Sequence, residues 1–332
     1  MKKANHVKRT NKIDNADLFT NAATHHYEKH IKTQSKQTLK FIDAKINWSD
    51  LLRPIERTLS HHKAGLSSAG RPTHALLVIV KCFILQTIYN LSDPRLEEEI
   101  ADRRSFQLFL GLNSGDAIPD ETTICRYREL FSRLGLDKKL FSAFTRQLEK
   151  HGLIIGKGTI VDATLKEAQA NKYSGRDGDA RGTSRKGKAI YGYKGHLGVD
   201  ADTNVIHSLE FTPANVHDTE KFDDLLRGTE KRVYADKGYA QRQRRILLKM
   251  NGIRCGILHK AYRNRPLTKK QLEQNKAFAK IRSAVERPFS YMTTVLDYTR
   301  CRYYDIGRNT FQFIFAAMVY NMRRLITLSS RL

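Results

Sequence analysis

The sequence predicts an α/β fold: a mixed sheet flanked by helices, preceded by an all-helical region. Three observations carry this expectation. Up to Gly152, apolar residues recur at the 3.6-residue period of helices. Beyond Gly152 the order reads strand, hairpin, helix, strand, helix, strand, then helices. The 332 residues are 40% hydrophobic, ample for a buried core and a poor fit to disorder or a whole-chain coiled coil.

Taken in order, residues 1–40 are rich in Lys, Asn, Thr and His with little apolar periodicity, and read as a basic, weakly structured arm. Residues 41–152 read as a helical domain. Leu76, Leu77, Val80, Phe83, Ile84 and Leu91 fall on one helical face. The apolar run Ala75 to Leu85 is interrupted by Lys81 and is too short to span a bilayer, which makes it a core helix. Asp93-Pro94 reads as an N-cap followed by Pro, with Glu97, Glu98 and Glu99 in the opening turns. Further helices are expected from Asp120 to Gly135 and from Asp137 to Gly152, where a helix-turn-helix over Thr122 to His151 is conceivable.

Residues 153–332 read as the α/β domain. Thr159 to Thr164 is a β-rich run, and Gly192–Val199 and Val205–Phe211 are strands joined by Asp200-Ala201-Asp202-Thr203-Asn204, a turn composition. A helix is expected over Asp218 to Leu226, a strand over Lys231 to Asp236, a helix over Gln241 to Met250 and a strand over Ile253 to Leu258. A basic insertion lies near 260–282, where Lys260 to Arg282 hold eight basic residues and one acid, Glu273. Phe311, Ile314, Phe315, Met318, Val319 and Met322 close the chain on one helical face.

Charge narrows the function. Lys and Arg total 59 against 34 Asp and Glu, a net of +25 and a pI near 9.9. A metabolic enzyme of average charge is therefore not the leading idea, and nucleic acid is the default partner. Residues 1–152 hold 25 basic and 17 acidic residues, and residues 153–332 hold 34 and 17, so the α/β part carries most of the surplus. Cys82, Cys125, Cys255 and Cys301 are far apart and form no C-x-x-C pair, which fits a reducing cytoplasm rather than a zinc ribbon or a disulfide scaffold. Met-Lys-Lys-Ala-Asn-His has no apolar stretch behind it, unlike a signal peptide. There is no H-E-x-x-H, no phosphate loop, no G-x-G-x-x-G after a strand and no G-x-S-x-G.

Two acids stand where apolar strands run out. Asp162 follows Gly158-Thr159-Ile160-Val161, and Asp236 follows Arg232-Val233-Tyr234-Ala235. A carboxylate there is costly unless paired or holding a metal, and open α/β sheets bind ligands at such ends. Glu286 lies four residues after Arg282, on the same side of a helix if that stretch is helical, although Pro288 should kink or restart it. Three carboxylates around one point suit phosphoryl transfer, because Mg²⁺ prefers oxygen ligands and two such ions can serve the attacking and leaving oxygens. Lys194, His196, Lys237 and the Gly- and Arg-rich stretch Ser174 to Lys188, including Arg185, Lys186 and Lys188, could supply positive surroundings for DNA. Asp200 and Asp202 read as turn residues, and His217-Asp218 as the cap of the following helix.

Val161-Asp162-Ala163-Thr164, Tyr191-Gly192-Tyr193-Lys194-Gly195-His196, Tyr234-Ala235-Asp236-Lys237-Gly238-Tyr239 and Arg282-Ser283-Ala284-Val285-Glu286-Arg287 together resemble bacterial insertion-sequence transposases of the DDE type, most of all the subgroup named for insertion sequence five. Leu91 to Glu97 and Phe106 to Leu112 resemble that group's helical N-terminal domain, and the match spans roughly residues 41–325 in order. The resemblance implies a ribonuclease H-like core in which the first Asp ends the first strand, the second Asp ends the fourth, and the Glu lies on a later helix. It implies two Mg²⁺ ions (with Mn²⁺ able to substitute), Asp162 bridging both and Asp236 and Glu286 each completing one. It also implies cleavage at inverted-repeat ends, strand transfer into target DNA, and contacts to phosphates from Arg282, Lys194 and Lys237. Related transposases carry a Tyr three residues before the Arg and a Lys seven after the Glu; here those positions are Ala279 and Thr293. The expected partners are double-stranded DNA and further copies of the chain in synapsis, with no membrane and no small-molecule substrate. The expected place is the bacterial cytoplasm, on the nucleoid when DNA-bound. The alternatives are a metal-dependent endonuclease without strand transfer and a catalytically inactive DNA-binding derivative.

Overall fold

The computed structural model describes residues 33–63, 74–113, 115–170, 175–185 and 187–329. The first half is helical: α1 (Gln34–Lys45), α2 (Trp48–Lys63), α3 (Leu76–Ile88), α4 (Asp93–Asp102), α5 (Arg104–Leu110), α6 (Glu121–Arg133) and α7 (Leu136–Lys150). Most of the expected 1–40 arm lies outside the described residues, but its last stretch is not an arm. The Thr33 hydroxyl accepts from Lys36 N at 3.2 Å and caps α1, which buries Leu39 and Ile42. Two further caps match the composition closely. Asp120 accepts from Thr123 N at 2.6 Å at the start of α6. For α4 the cap is Ser92, one residue ahead of the expected Asp93.

The sheet consists of β1 (Thr159–Glu167), β2 (Arg181–Arg185), β3 (Lys188–Asp200), β4 (Ile206–Pro213), β5 (Arg232–Ala235) and β6 (Arg254–Ile257). Its path is β2-β3-β1-β5-β6, with β4 also paired to β3. β1 runs antiparallel to β3 and parallel to β5, and β5 parallel to β6. Setting aside the β2 extension, this is the mixed order of a ribonuclease H-like sheet. The remaining helices are α8 (Arg242–Met250), α9 (Lys269–Arg282), α10 (Glu286–Thr294) and α11 (Ile306–Ser329).

The fold differs from the sequence expectation at three places, each with a packing reason. Part of the Gly- and Arg-rich stretch is not a flexible loop: β2 pairs with β3, and the Tyr193 hydroxyl donates to the buried Asp177 at 2.6 Å. The helix expected over Asp218 to Leu226 is two 3₁₀ turns, Asp218–Lys221 and Asp223–Leu225. The buried pair Phe222 and Leu225 is spaced by three, which is the repeat of that tighter helix. β1 continues to Glu167 because Lys166 finds a buried place, donating to the Tyr298 carbonyl with its ammonium 4.3 Å from the Tyr298 ring.

The sheet is covered on both faces. Val161, Val233, Ala235 and Ile257 pack with Phe222, Leu225 and Leu248 on one side. Ile160 and Tyr234 join the large core on the other side, which is continuous with the helical half. α11 makes that continuity. Its Phe311 and Phe315 lie 4.8 and 5.4 Å from Phe83 of α3, and Phe313 lies 5.2 Å from Phe211 of β4. Gly195 is required at this seam, because a Cβ there would fall 2.4 Å from the Phe313 ring. Burying an aromatic side chain of this kind contributes about 1.5–3 kcal/mol. Lys81 shows how α3 carries a charge in the core: its ammonium meets Asp43 Oδ1 at 2.6 Å and the Phe109 carbonyl at 2.7 Å. Among the described residues no single helix is long and apolar enough to cross a membrane.

Candidate active site

The parallel pairing of β1 with β5 ends at Val161 beside Ala235. Asp162 is the next residue of β1, and Asp236 is the next residue after β5. The two carboxylates therefore leave neighbouring strands at the same level. Their backbones differ. β5 ends at Ala235, and Asp236 is extended and caps the turn Lys237–Tyr239. Asp162 does not end its strand; it sits within β1, held opposite Leu197 by the β3 ladder.

Asp162 is fixed by two contacts. Its Oδ1 accepts from Ala163 N at 2.9 Å, and its Oδ2 accepts from Arg282 Nη1 at 2.8 Å, with both side chains 22% exposed. Arg282 is the last residue of α9, and the turn that follows packs against β1. Burial pushes the Asp162 carboxyl pKa upward, and Asp236 and Asp218 push it further; the Ala163 N–H and Arg282 pull the other way. Asp236 and Asp218 thus add negative charge near Asp162, and Arg282 offsets part of it.

Asp218 is a site residue that the sequence reading passed over as part of a helix cap. The cap is His217, whose ring accepts from Thr219 N at 3.3 Å. Asp218 is turned to Lys194, with Nζ 2.9 Å from Oδ1, while Lys194 also donates to the Val216 carbonyl at 2.8 Å. No local motif reveals this, since the approach depends on how β3 and β4 pair. Tyr239 lies near all three acids. Its hydroxyl is buried without a partner, and burial, then Asp218, Asp162 and Asp236 in that order, raise its pKa.

The other expected residues are placed as follows. Glu286 opens α10 at an exposed position, one short turn after Arg282, and its carboxylate makes no hydrogen bond or ion pair among the described residues. Lys237 is exposed beside Asp236. Lys188 is exposed, 3.8 Å from Glu167 Oε1. The Arg185 side chain and Lys186 lie outside the described residues. His196 is not a surface contact for DNA. It is fully buried beneath β4, bonded to Thr212 Oγ1 at 2.9 Å, and burial pulls its pKa down to about 4, so the ring is neutral. Asp200 is the turn residue expected, accepting from the backbone N–H groups of Ile155 and Gly156 at 2.9 Å and of Thr203 at 3.0 Å. Ala279 and Thr293 are both exposed, and the Thr293 hydroxyl bonds the Phe289 carbonyl of its own helix.

Among the described residues, no group of three or more His, Cys, Asp or Glu side chains is drawn together closely enough to hold a metal ion. The donor chemistry nevertheless suits a hard cation. Asp162 and Asp236 offer carboxylate oxygens at one level, and the Tyr239 hydroxyl is a buried oxygen without a partner among the described residues.

Two family models match the chain. Residues 155–322 match the family described as Transposase DDE domain, and residues 25–130 match a transposase domain family designated DUF772. One solved structure that the chain resembles is the piggyBac transposase synaptic complex with hairpin DNA, determined by cryo-electron microscopy. The likeness covers 90% of this chain and 77% of that one at 10% identity, with a TM-score of 0.42. The first match alone takes in half of the sequence and contains Asp162, Asp218, Asp236, Arg282 and Glu286, and on it the chain belongs to the DDE transposase family.

Proposed function

We propose that the protein cuts DNA at the terminal inverted repeats of an insertion sequence of the insertion-sequence-five type and joins the freed ends to target DNA. The observation that carries this is the emergence of Asp162 and Asp236 from adjacent parallel strands at one level, with Arg282 held on Asp162. Asp162, Asp236 and Glu286 are the proposed catalytic acids and the ligands of two Mg²⁺ ions, or Mn²⁺ in their place. Bound there, the ions would make an attacking water or 3′-hydroxyl more acidic and would neutralise charge on the scissile phosphate.

The chain's own groups account for the rest. Glu286 stands on an exposed helix start beside Arg282, free to turn toward the Asp pair when a cation draws it. Arg282 binds phosphate oxygens with a planar fork, while Lys194, Lys237 and Lys188 act as point charges. The buried Tyr239 ring limits water around the acids. Hydrolysis of the phosphodiester at the element end leaves a 3′-hydroxyl. That hydroxyl then displaces one strand of target DNA at the same acids, so one bond forms as another breaks and no covalent protein–DNA intermediate is needed. The helical half is assigned to repeat binding or to pairing of copies in synapsis, and the protein to the bacterial cytoplasm, on the nucleoid when DNA-bound.

The test uses the DNA that flanks the gene. Labelled duplex carrying the flanking inverted repeats, incubated with the protein, Mg²⁺ and a target plasmid, is expected to yield both cut ends and joined product. Cutting without joining would instead indicate an endonuclease. Binding without cutting would indicate an inactive derivative.

A further inference from the structure

A groove opens just beyond Asp236 in the chain but is not formed by the acids. It runs between α8 and the loop from Leu258 to Thr268, has a volume of about 1030 Å³, and begins at Ala240, four residues beyond Asp236. Arg242, Arg245, Lys249, Lys260 and Arg265 line it, with no Asp or Glu among the lining residues. Pockets for small ligands span roughly 300–1,000 Å³ and are mostly apolar. This one stands at the upper limit, open and cationic, which suits an extended polyanion.

The groove also carries exposed apolar surface. Tyr262 is 59% exposed and Ile246 49% exposed, both between the cations. The Tyr262 main chain is fixed: its N–H donates to the Arg265 carbonyl at 3.2 Å and Arg265 N–H donates back at 3.0 Å. The groove wall is equally fixed, since Arg245 donates to the Ile257 and Leu258 carbonyls at 3.0 and 3.2 Å and ties α8 to the end of β6. A duplex presents phosphates, sugars and base edges to such a wall, but its base faces are stacked out of reach. An unpaired strand presents phosphates to the cations and base faces to Tyr262 and Ile246. A second copy of the chain would set cation against cation, given the net charge of +25.

We infer that this groove binds a segment of single-stranded DNA and receives the strand that leaves the acids unpaired. The inference rests on reading those acids as a DNA-cutting site, but its test does not depend on cutting. Binding of a labelled oligothymidylate of about 12 nucleotides, within the span of ordinary single-strand sites, is compared with binding of a duplex of equal length by anisotropy, without divalent metal. Tyr262→Ala is expected to weaken single-strand binding about tenfold, the effect of losing one stacked base, and to leave duplex binding unchanged. Tyr262→Phe is expected to retain single-strand affinity. Lys260→Gln with Arg265→Gln is expected to flatten the salt dependence of single-strand binding. The inference is overturned if Tyr262→Ala leaves oligothymidylate binding intact, or if it weakens duplex binding equally. Because Tyr262 is exposed, its replacement does not threaten the fold. A chain that cuts DNA but fails this test loses only the groove; one that passes but never cuts loses only the function proposed above.

Discussion

Two Arg–Asp pairs of similar chemistry serve opposite ends of this molecule. In the helical half, Arg128 of α6 meets Asp93 of α4 through both terminal nitrogens, with Nη1 2.8 Å from Oδ2. Gln86 completes the set, accepting from Arg128 at 3.1 Å and donating to Asp93 at 2.6 Å, and the Tyr303 ring lies 5.0 Å from the guanidinium. Arg128 is 2% exposed, and among the described residues no second acid forms an ion pair with it. In the α/β half, Arg282 meets Asp162 through one nitrogen, with Asp236 and Asp218 adding negative charge nearby. The first pair is bidentate on a buried guanidinium, with Gln86 bridging both partners, which makes it a fastener. The second is single-contact on a guanidinium that is 22% exposed, so its cation can be exchanged.

The largest expected effect separates the two pairs by activity. Asp162→Asn and Asp236→Asn should each lower end cleavage about 1,000-fold, equivalent to about 4 kcal/mol of transition-state stabilisation, while DNA binding stays intact in a filter or anisotropy assay. Normal cutting by either variant would remove that residue from the site. Glu286→Gln should behave the same way if Glu286 closes onto the Asp pair. Arg128→Ala should do the reverse, costing about 3 kcal/mol in denaturant unfolding and leaving the specific activity of the folded fraction unchanged. An unfolding midpoint equal to wild type would show that the helical pair is not a fastener.

That contrast also explains what the sequence could show. Asp162 and Asp236 were legible because each follows an apolar β run directly, and a charge at that place needs a local reason. Lys81 was legible as a break in an apolar helix, though not that Asp43 and the Phe109 carbonyl receive it. Asp218 was hidden, because its neighbour His217 supplies a true cap and the approach to Asp162 depends on strand register. His196 misled in the opposite direction. It lies two residues from Lys194 on β3, on the same face, and looked like part of a basic surface, but it is fully buried and bonded to Thr212 of β4 while Lys194 reaches out to Asp218. The stretch Ser174 to Lys188 looked too rich in Gly and Arg to be ordered, yet pairing with β3 and the buried Asp177 hold part of it.

Acid should act on the fold through the buried histidines. His196 and His207 are both pulled by burial from 6.5 to about 4, so the unfolded chain takes up protons first as pH falls. Their contribution to stability is present above about 6.5 and is lost progressively toward about 4. Asp137 opposes this, because burial raises its pKa from 3.8 to about 6 and acidification through that window favours the folded form. Unfolding midpoints measured from pH 7 to pH 4.5 should therefore fall, less steeply in His196→Gln and more steeply in Asp137→Asn. An unchanged slope in both variants would contradict the burial argument. The smallest effect belongs to the surface. Lys237→Gln should reduce the slope of log affinity for DNA against log salt by about one, as for a single phosphate contact, without changing sequence preference.

The most direct test of the central claim, that the acids at the β1 and β5 level hold a divalent cation, is calorimetric titration of Mn²⁺ into the intact chain and its variants. Saturable binding should occur in the wild type and in Arg128→Ala under conditions where that variant is folded, and should be lost in Asp162→Asn and in Asp236→Asn. Equal binding by the wild type and both Asp variants would contradict it.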